Sequence, residues 1–323
     1  MTEFVGIDIS KESFDVYFEH EGNGNYVKLN QTEEDYKVLV HLIGLDRICV
    51  MEATGNYHLK LAHHLYQSGI KTVVENPLKI KRFSQMHLQR TKTDKADSHL
   101  IFDYAETILQ PQEVHSWIPD EGDIGALKQY DTVRQQLIKQ RTSLTNTEEA
   151  LAGITEINPE VIQVLQDMVK AVKKAIETLD KGMLKVVTEH HGDSFELITS
   201  IPGVGVKTAV MIICLTNGFR KFQYDQVKQF ISYIGMSPRT FTSGTSVKGR
   251  AHITKVGNGR VRSLLYMCSW TAKKNNQQCA DLYKRLAEKG KPEKVIKVAI
   301  AHKLIRQIFG VIKSGQPFSN EFA

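Results

Sequence analysis

The chain has 323 residues, 41% hydrophobic and 24% charged, ordinary proportions for a soluble globular protein of two or three domains. No apolar run approaches the ~20 residues needed to span a bilayer, no basic start followed by an apolar stretch suggests a secretory signal, and four scattered cysteines without a CxxC pair argue against a zinc site or a disulfide framework. Charge is unevenly spread: residues 1–194 carry 21 Lys and Arg against 30 Asp and Glu, residues 195–323 carry 21 against 6, so the second region is expected to contact a polyanion, with nucleic acid the first candidate.

The amino-terminal segment reads as strands followed by alternating helices and strands. Short β-rich runs cover 4–10, 13–19 and 25–30 and are close enough for an antiparallel meander. Residues 33–43 have helical periodicity, with Tyr36, Leu39, Val40 and Ile43 on one face. A buried strand, 47–52, runs into Glu52. A helix over 57–67, a strand over 71–75 and a basic helix over 77–88 follow, and then a helix carrying Asp94 and Asp97 to about Leu109. Three adjacent strands succeeded by alternating helices and strands is the order of an RNase H-like fold.

The middle is helical. Asn158-Pro159 supplies a capping side chain and a proline at the first helical position. Ile162, Leu165, Val169, Val172, Ile176, Leu179, Met183 and Val186 then repeat at spacings of three and four, a heptad seam. Leu127, Tyr130, Leu137, Leu144 and Leu151 suggest a weaker helix upstream. A helical hairpin, an intermolecular coiled coil and a single core helix all satisfy this pattern. In the last segment, "SIPGVGVKTAVMII" (200–213) is a glycine turn opening an apolar helix. Residues 237–266 are rich in glycine, serine and bases before turning helical near Arg260, and amphipathic helices continue to about Lys313.

Asp8 lies between Ile7 and Ile9, and Glu52 ends another apolar strand. A buried carboxylate is costly unless paired, solvated or bound to a metal. Asp94 and Asp97, three apart, share a helix face; packed against the sheet they would complete a four-carboxylate cluster suited to hard divalent cations. Read singly, each acid is more often structural than catalytic. Gly203 and Gly205 in "IPGVG" would let backbone N–H groups approach a phosphate, although the turn is common and is not a Walker loop. His63-His64 and His190-His191 read as surface residues. Ser243, in "RTFTSGTS", has Arg239, Lys248 and Arg250 nearby; no local motif supplies the base that a nucleophilic serine needs, and a serine in a flexible phosphate-binding loop satisfies the same residues.

Together, "VGIDISKESFDVYF", "MEATGNYH" and "KTDKADSHLI" resemble the DEDD-motif transposases of the insertion-sequence family numbered one hundred and ten, which includes the pilin-gene invertases. "IPGVGVKTA", "YIGMSPRTFTSG" and "KVGNGRVRSLLY" resemble that family's second region, in the family's order. Thr245 stands where a second glycine is common, and Ser98 where alanine is common. The resemblance implies an RNase H-like, Holliday-resolvase-like domain (1–118) with Asp8, Glu52, Asp94 and Asp97 as ligands of Mg²⁺ or Mn²⁺. It further implies a helical coiled-coil segment (119–194) and a mainly α-helical transposase domain (195–323) with Ser243 as nucleophile.

The expected activity is recombination of donor and target DNA through a phosphoserine intermediate in a prokaryotic cytoplasm or nucleoid, with no membrane partner. An element-encoded RNA that guides pairing is an expected partner, as is a second copy of the chain in a dimer or tetramer. Arg239, Lys248, Arg250, Arg260 and Arg262, with Gly203 and Gly205, are the candidate nucleic-acid contacts. The rival readings are a metal-dependent junction nuclease without a covalent intermediate and a nucleic-acid-binding scaffold without chemistry.

Overall fold

The structure, a computed structural model, describes residues 4–53, 55–87, 93–154, 158–239, 242–243, 247–248 and 252–320, the two short pairs through their backbone alone. The chain forms two compact units, Met1–Pro119 and Asp120–Ala323. The first is mixed α/β, the second almost wholly helical.

In the first unit the elements are β1 (Phe4–Ile9), β2 (Ser13–His20), β3 (Asn23–Asn30), α1 (Glu33–Ile43), β4 (Ile48–Glu52), α2 (His58–Gln67), β5 (Thr72–Glu75), α3 (Pro77–Met86) and α4 (Asp94–Ile108). Each lies within two residues of its sequence reading. The five strands form one sheet in the order β3-β2-β1-β4-β5. The first three are antiparallel, and β4 and β5 run parallel to β1.

Alternation along the strands splits the hydrophobic residues between two layers. Val5, Ile7 and Ile9 pack with Tyr36, Leu39, Leu61 and Leu65 of α1 and α2. Phe4, Ile48, Val50 and Val73 pack with Ile80 and Phe83 of α3 and with Leu100, Ile101, Phe102 and Ala105 of α4. Gly6 lets α4 lie directly on β1: a Cβ there would stand 2.5 Å from the Phe102 backbone nitrogen. Thr93 caps α4 by accepting from the Ala96 N–H at 3.2 Å, which fixes where Asp94 and Asp97 begin the helix.

In the second unit, α5 (Gly122–Leu151) and α6 (Pro159–Thr199) pack side by side. Asp123 meets His191, Tyr130 meets Gly182, Arg134 meets Asp180 and Gln166 meets Glu148, the descending order of an antiparallel pair. The heptad seam therefore finds a partner within the chain: Val169, Ile176 and Met183 are buried, while Val161, Val164 and Met168 on the neighbouring strip stay exposed. His191 is a correction to the sequence reading. It is nearly buried, 2.5 Å from Asp123, because α6 kinks at that residue.

The rest of the unit comprises α7 (Val206–Thr216), α8 (Val227–Tyr233), the two-residue strands β6 (Pro238–Arg239), β7 (Thr242–Ser243), β8 (Val247–Lys248) and β9 (His252–Ile253), then α9 (Gly259–Asn275), α10 (Gln277–Glu288) and α11 (Glu293–Ser314). One core joins Ile212 and Ile213 of α7, Leu265 of α9 and Ile300, Leu304 and Ile308 of α11 to Leu127 of α5 and Val187 of α6. Among the described residues, no helix is long and apolar enough to cross a membrane.

Candidate active site

The sheet register lays a row of charged residues across all five strands. Lys28 pairs with Asp15, Asp15 with Asp8, and Glu52 with Glu75. One step beyond the Ile7–Met51 pair, Glu52 ends β4 alongside Asp8. Asp8 follows Phe4 and Gly6 in the alternation, so the row lies on the face that α4 covers. Asp94 and Asp97 occupy the first turn of α4 on that side, where the positive end of the helix dipole favours carboxylates.

Asp8 is the electrostatic centre. Burial pushes its carboxyl up to about 6, and the charges of Asp97, Glu52, Asp15 and Asp94 push in the same direction. All four acids expected from the sequence thus converge on one locality, together with a fifth that was not singled out. Asp15 is 2% exposed. It accepts from the Tyr26 hydroxyl at 2.5 Å and lies 3.5 Å from Lys28 Nζ. The signal that marked Asp8, a carboxylate inside an apolar strand, is equally present in "SFDVYF". Glu75 closes the row and is fully engaged: Lys79 Nζ lies 2.9 Å away and the Asn76 N–H donates at 3.1 Å.

These carboxylates fit a hard divalent cation in donor chemistry and charge. The donors are all oxygen, and Asp8, raised first by burial, also feels the charges of four neighbouring acids. Among the described residues, no three acids, histidines or cysteines are gathered at metal-holding spacing. One cation already contacts the cluster: Lys28 Nζ stands between Asp15 and Asp94.

In the second unit, Ser243 pairs with Val247 through the backbone of β7 and β8. Outside it, Arg239 of β6 pairs with His252 of β9. Ser243 is the last described position before residues 244–246. Arg250 lies outside the described residues, and Lys248 is described through its backbone only.

The remaining candidates divide. Arg239 is exposed. Arg260 is ion-paired with Asp131 of α5, and Arg262 donates to the Ile234 carbonyl at 2.7 Å. Gly203 has φ +102°, and a Cβ there would stand 2.7 Å from Ala272 Cβ, so the "IPGVG" turn lies hard against α9. Gly205 immediately precedes α7 in extended conformation, with open space where a Cβ would be.

Two family models match the chain. One, described as a transposase of the IS110 DEDD type, covers residues 5–155. The other, described as the transposase IS116/IS110/IS902 family, covers residues 195–284. Pilin gene-inverting proteins of Moraxella bovis and Moraxella lacunata are each 28% identical over 98% of this chain and 97% of their own length. An uncharacterized 43.6 kDa protein of insertion element IS110 from Streptomyces coelicolor is 25% identical over 48% of this chain and 37% of that protein.

Proposed function

Because the chain belongs to the IS110/IS116/IS902 family of transposases and is a DNA recombinase of that kind, we propose that it exchanges DNA strands through a phosphoserine on Ser243, with Asp8, Glu52, Asp94 and Asp97 holding Mg²⁺ or Mn²⁺. The observation that carries the metal assignment is the convergence of these acids on half-buried Asp8. The RNase H-like reading of residues 1–118 is supported by the antiparallel β1–β2–β3 meander, the parallel β4 and β5, and α4 lying across Gly6. The helical segment 119–194 and the transposase segment 195–323 complete the proposed organisation.

In the covalent step, Ser243 Oγ bonds to a DNA phosphorus as one P–O bond to deoxyribose breaks. The serine gives up its proton and the departing deoxyribose oxygen gains one. A hydroxyl of the second DNA then attacks the same phosphorus and releases the serine, so the energy of the broken bond is retained. A divalent cation at the acids would polarise the phosphoryl group. In the structure Lys28 bridges Asp94 to Asp15, and a cation drawing on Asp94 would have to displace it.

Donor and target DNA, an element-encoded guide RNA and a second copy of the chain are the proposed partners. The excess of basic residues after position 194 supports the nucleic acids, and exposed Val161, Val164 and Met168 on α6 support a contact between copies. Trapping with denaturant during strand exchange tests the chemistry. The wild-type chain should carry covalent DNA, and Ser243→Ala should lose both adduct and exchange while binding DNA normally. DNA cleavage that persists in Ser243→Ala would instead support the metal-dependent junction nuclease, a reading favoured by the placement of every clustered acid in the first unit alone.

A further inference from the structure

Helix α9 presents an unusual outward face. Ser263, Met267, Trp270 and Lys274, spaced four, three and four, are all exposed. Trp270 is 45% exposed and Met267 62%. An apolar pair of this kind, in a region so rich in bases, suits a partner that is both flat and anionic.

Trp270 is held by a built support. Lys297 of α11, only 2% exposed, places its Nζ 3.0 Å from the Trp270 ring centroid. Burying a lysine is costly unless it is paired, and this one is paired with Glu293 at 3.2 Å. Glu293 also receives Lys273 at 3.2 Å and the Tyr283 hydroxyl at 2.9 Å. Lys273 in turn lies over the Tyr283 ring at 4.5 Å. One ring face of Trp270 is therefore backed by a fixed cation, and the solvent-facing remainder of the indole is pre-positioned rather than free to collapse. Beside Met267, a groove of about 460 Å³ is walled by Tyr266, Lys255 and Arg262, a size that suits a nucleotide-scale ligand.

We propose that Trp270, flanked by Met267 and the Tyr266 groove, is a stacking platform for an unpaired base of single-stranded DNA, with Lys255 and Lys274 beside the strand's phosphates. The inference rests on the chain being a DNA recombinase: exchanging strands requires bases near the break to leave the duplex, and an aromatic ring stacks any of them regardless of sequence. The charge of the surroundings fits the same occupant, because Glu293, the acid at the platform's base, is already claimed by Lys273 and Lys297.

The chain has two tryptophans, so Trp117→Phe leaves Trp270 as the sole indole reporter. This full-length variant is titrated at one fixed salt concentration with oligo(dT), with oligo(U) of the same length and with a blunt DNA duplex. Oligo(dT) should quench the fluorescence saturably and the duplex far less. In the otherwise native chain, Trp270→Ala should weaken oligo(dT) binding about tenfold or more and leave duplex affinity within about twofold, with Trp270→Phe intermediate. Unchanged thermal unfolding excludes misfolding, and Trp117→Phe gives the stacking readout independently of any Trp270 variant. Duplex binding without quenching by oligo(dT) would overturn the platform and leave the recombinase reading intact. Tighter binding and stronger quenching by oligo(U) would overturn the assignment to DNA. Failure to bind any of the three would overturn both readings.

Discussion

Lys28 Nζ lies 3.1 Å from Asp94 Oδ2, tying β3 to the first turn of α4. The same ammonium is 3.5 Å from buried Asp15. It therefore occupies part of the space in which a divalent cation would draw on Asp94. Lys28→Met should free that carboxylate and tighten Mn²⁺ binding severalfold, read by the loss of the free Mn²⁺ signal in electron paramagnetic resonance. Unchanged affinity would mean that Asp94 lies outside the metal's reach.

The raised Asp8 carboxyl has a signed consequence for stability. An acid whose pKa rises from 3.8 to about 6 on folding binds more protons folded than unfolded in that interval. Its ionisation therefore costs stability as pH rises from about 4 to about 6, and the cost persists above that. Asp8→Asn should raise the unfolding free energy of the metal-free protein at pH 8 by about 1–2 kcal/mol, discounted for solvent screening. The gain should shrink toward pH 4. Strand exchange should be lost at every pH. Urea titrations at the two pH values check the sign, and an effect equal at both would contradict the assigned cause.

Gly6 is required for contact rather than for backbone freedom. Any side chain there meets the α4 backbone near Ser98 and Phe102. Gly6→Ala should cost about 1–3 kcal/mol through overpacking, and by pushing α4 outward it should impair recombination more than the stability loss alone explains. Comparing exchange rates with unfolding curves separates the two effects.

The arginines of the second unit should behave as two classes. Arg239→Ala should lower the slope of log affinity against log salt by about 0.9 on duplex DNA, the effect of one lost phosphate contact, and leave unfolding unchanged. Arg262→Ala should lower stability as well, with a smaller effect on that slope, because one of its guanidinium nitrogens is anchored on the Ile234 carbonyl. Matching salt slopes for the two variants would contradict the division.

The strand and helix boundaries of the first unit were legible because its sheet is covered on both faces, so apolar runs end close to where the elements end. Asp8 stood out as a carboxylate inside such a run and Glu52 as one at the end of another. Lys28 did not, because its bridge depends on the β2–β3 register that places it across from Asp15. Arg260 was read from the sequence as a nucleic-acid contact, and only its ion pair with Asp131 of α5 sets it apart from exposed Lys274. The heptads of α6 marked a face without saying what covers it. His191 was misread as a surface residue because a kink, not a pattern, turns it toward Asp123.

The antiparallel pairing of α5 with α6 also restricts how this chain can be lengthened. Cross-pairs stand near both ends of the hairpin, from Asp123–His191 at its base to Glu148–Gln166 toward its tip. Residues gained in one arm between these points would shift every pair beyond them out of step. Viable insertions there must come in matched amounts on both arms, in whole heptads that return the same faces to each other. Residues added between Glu148 and Gln166 would leave every one of these pairs in step.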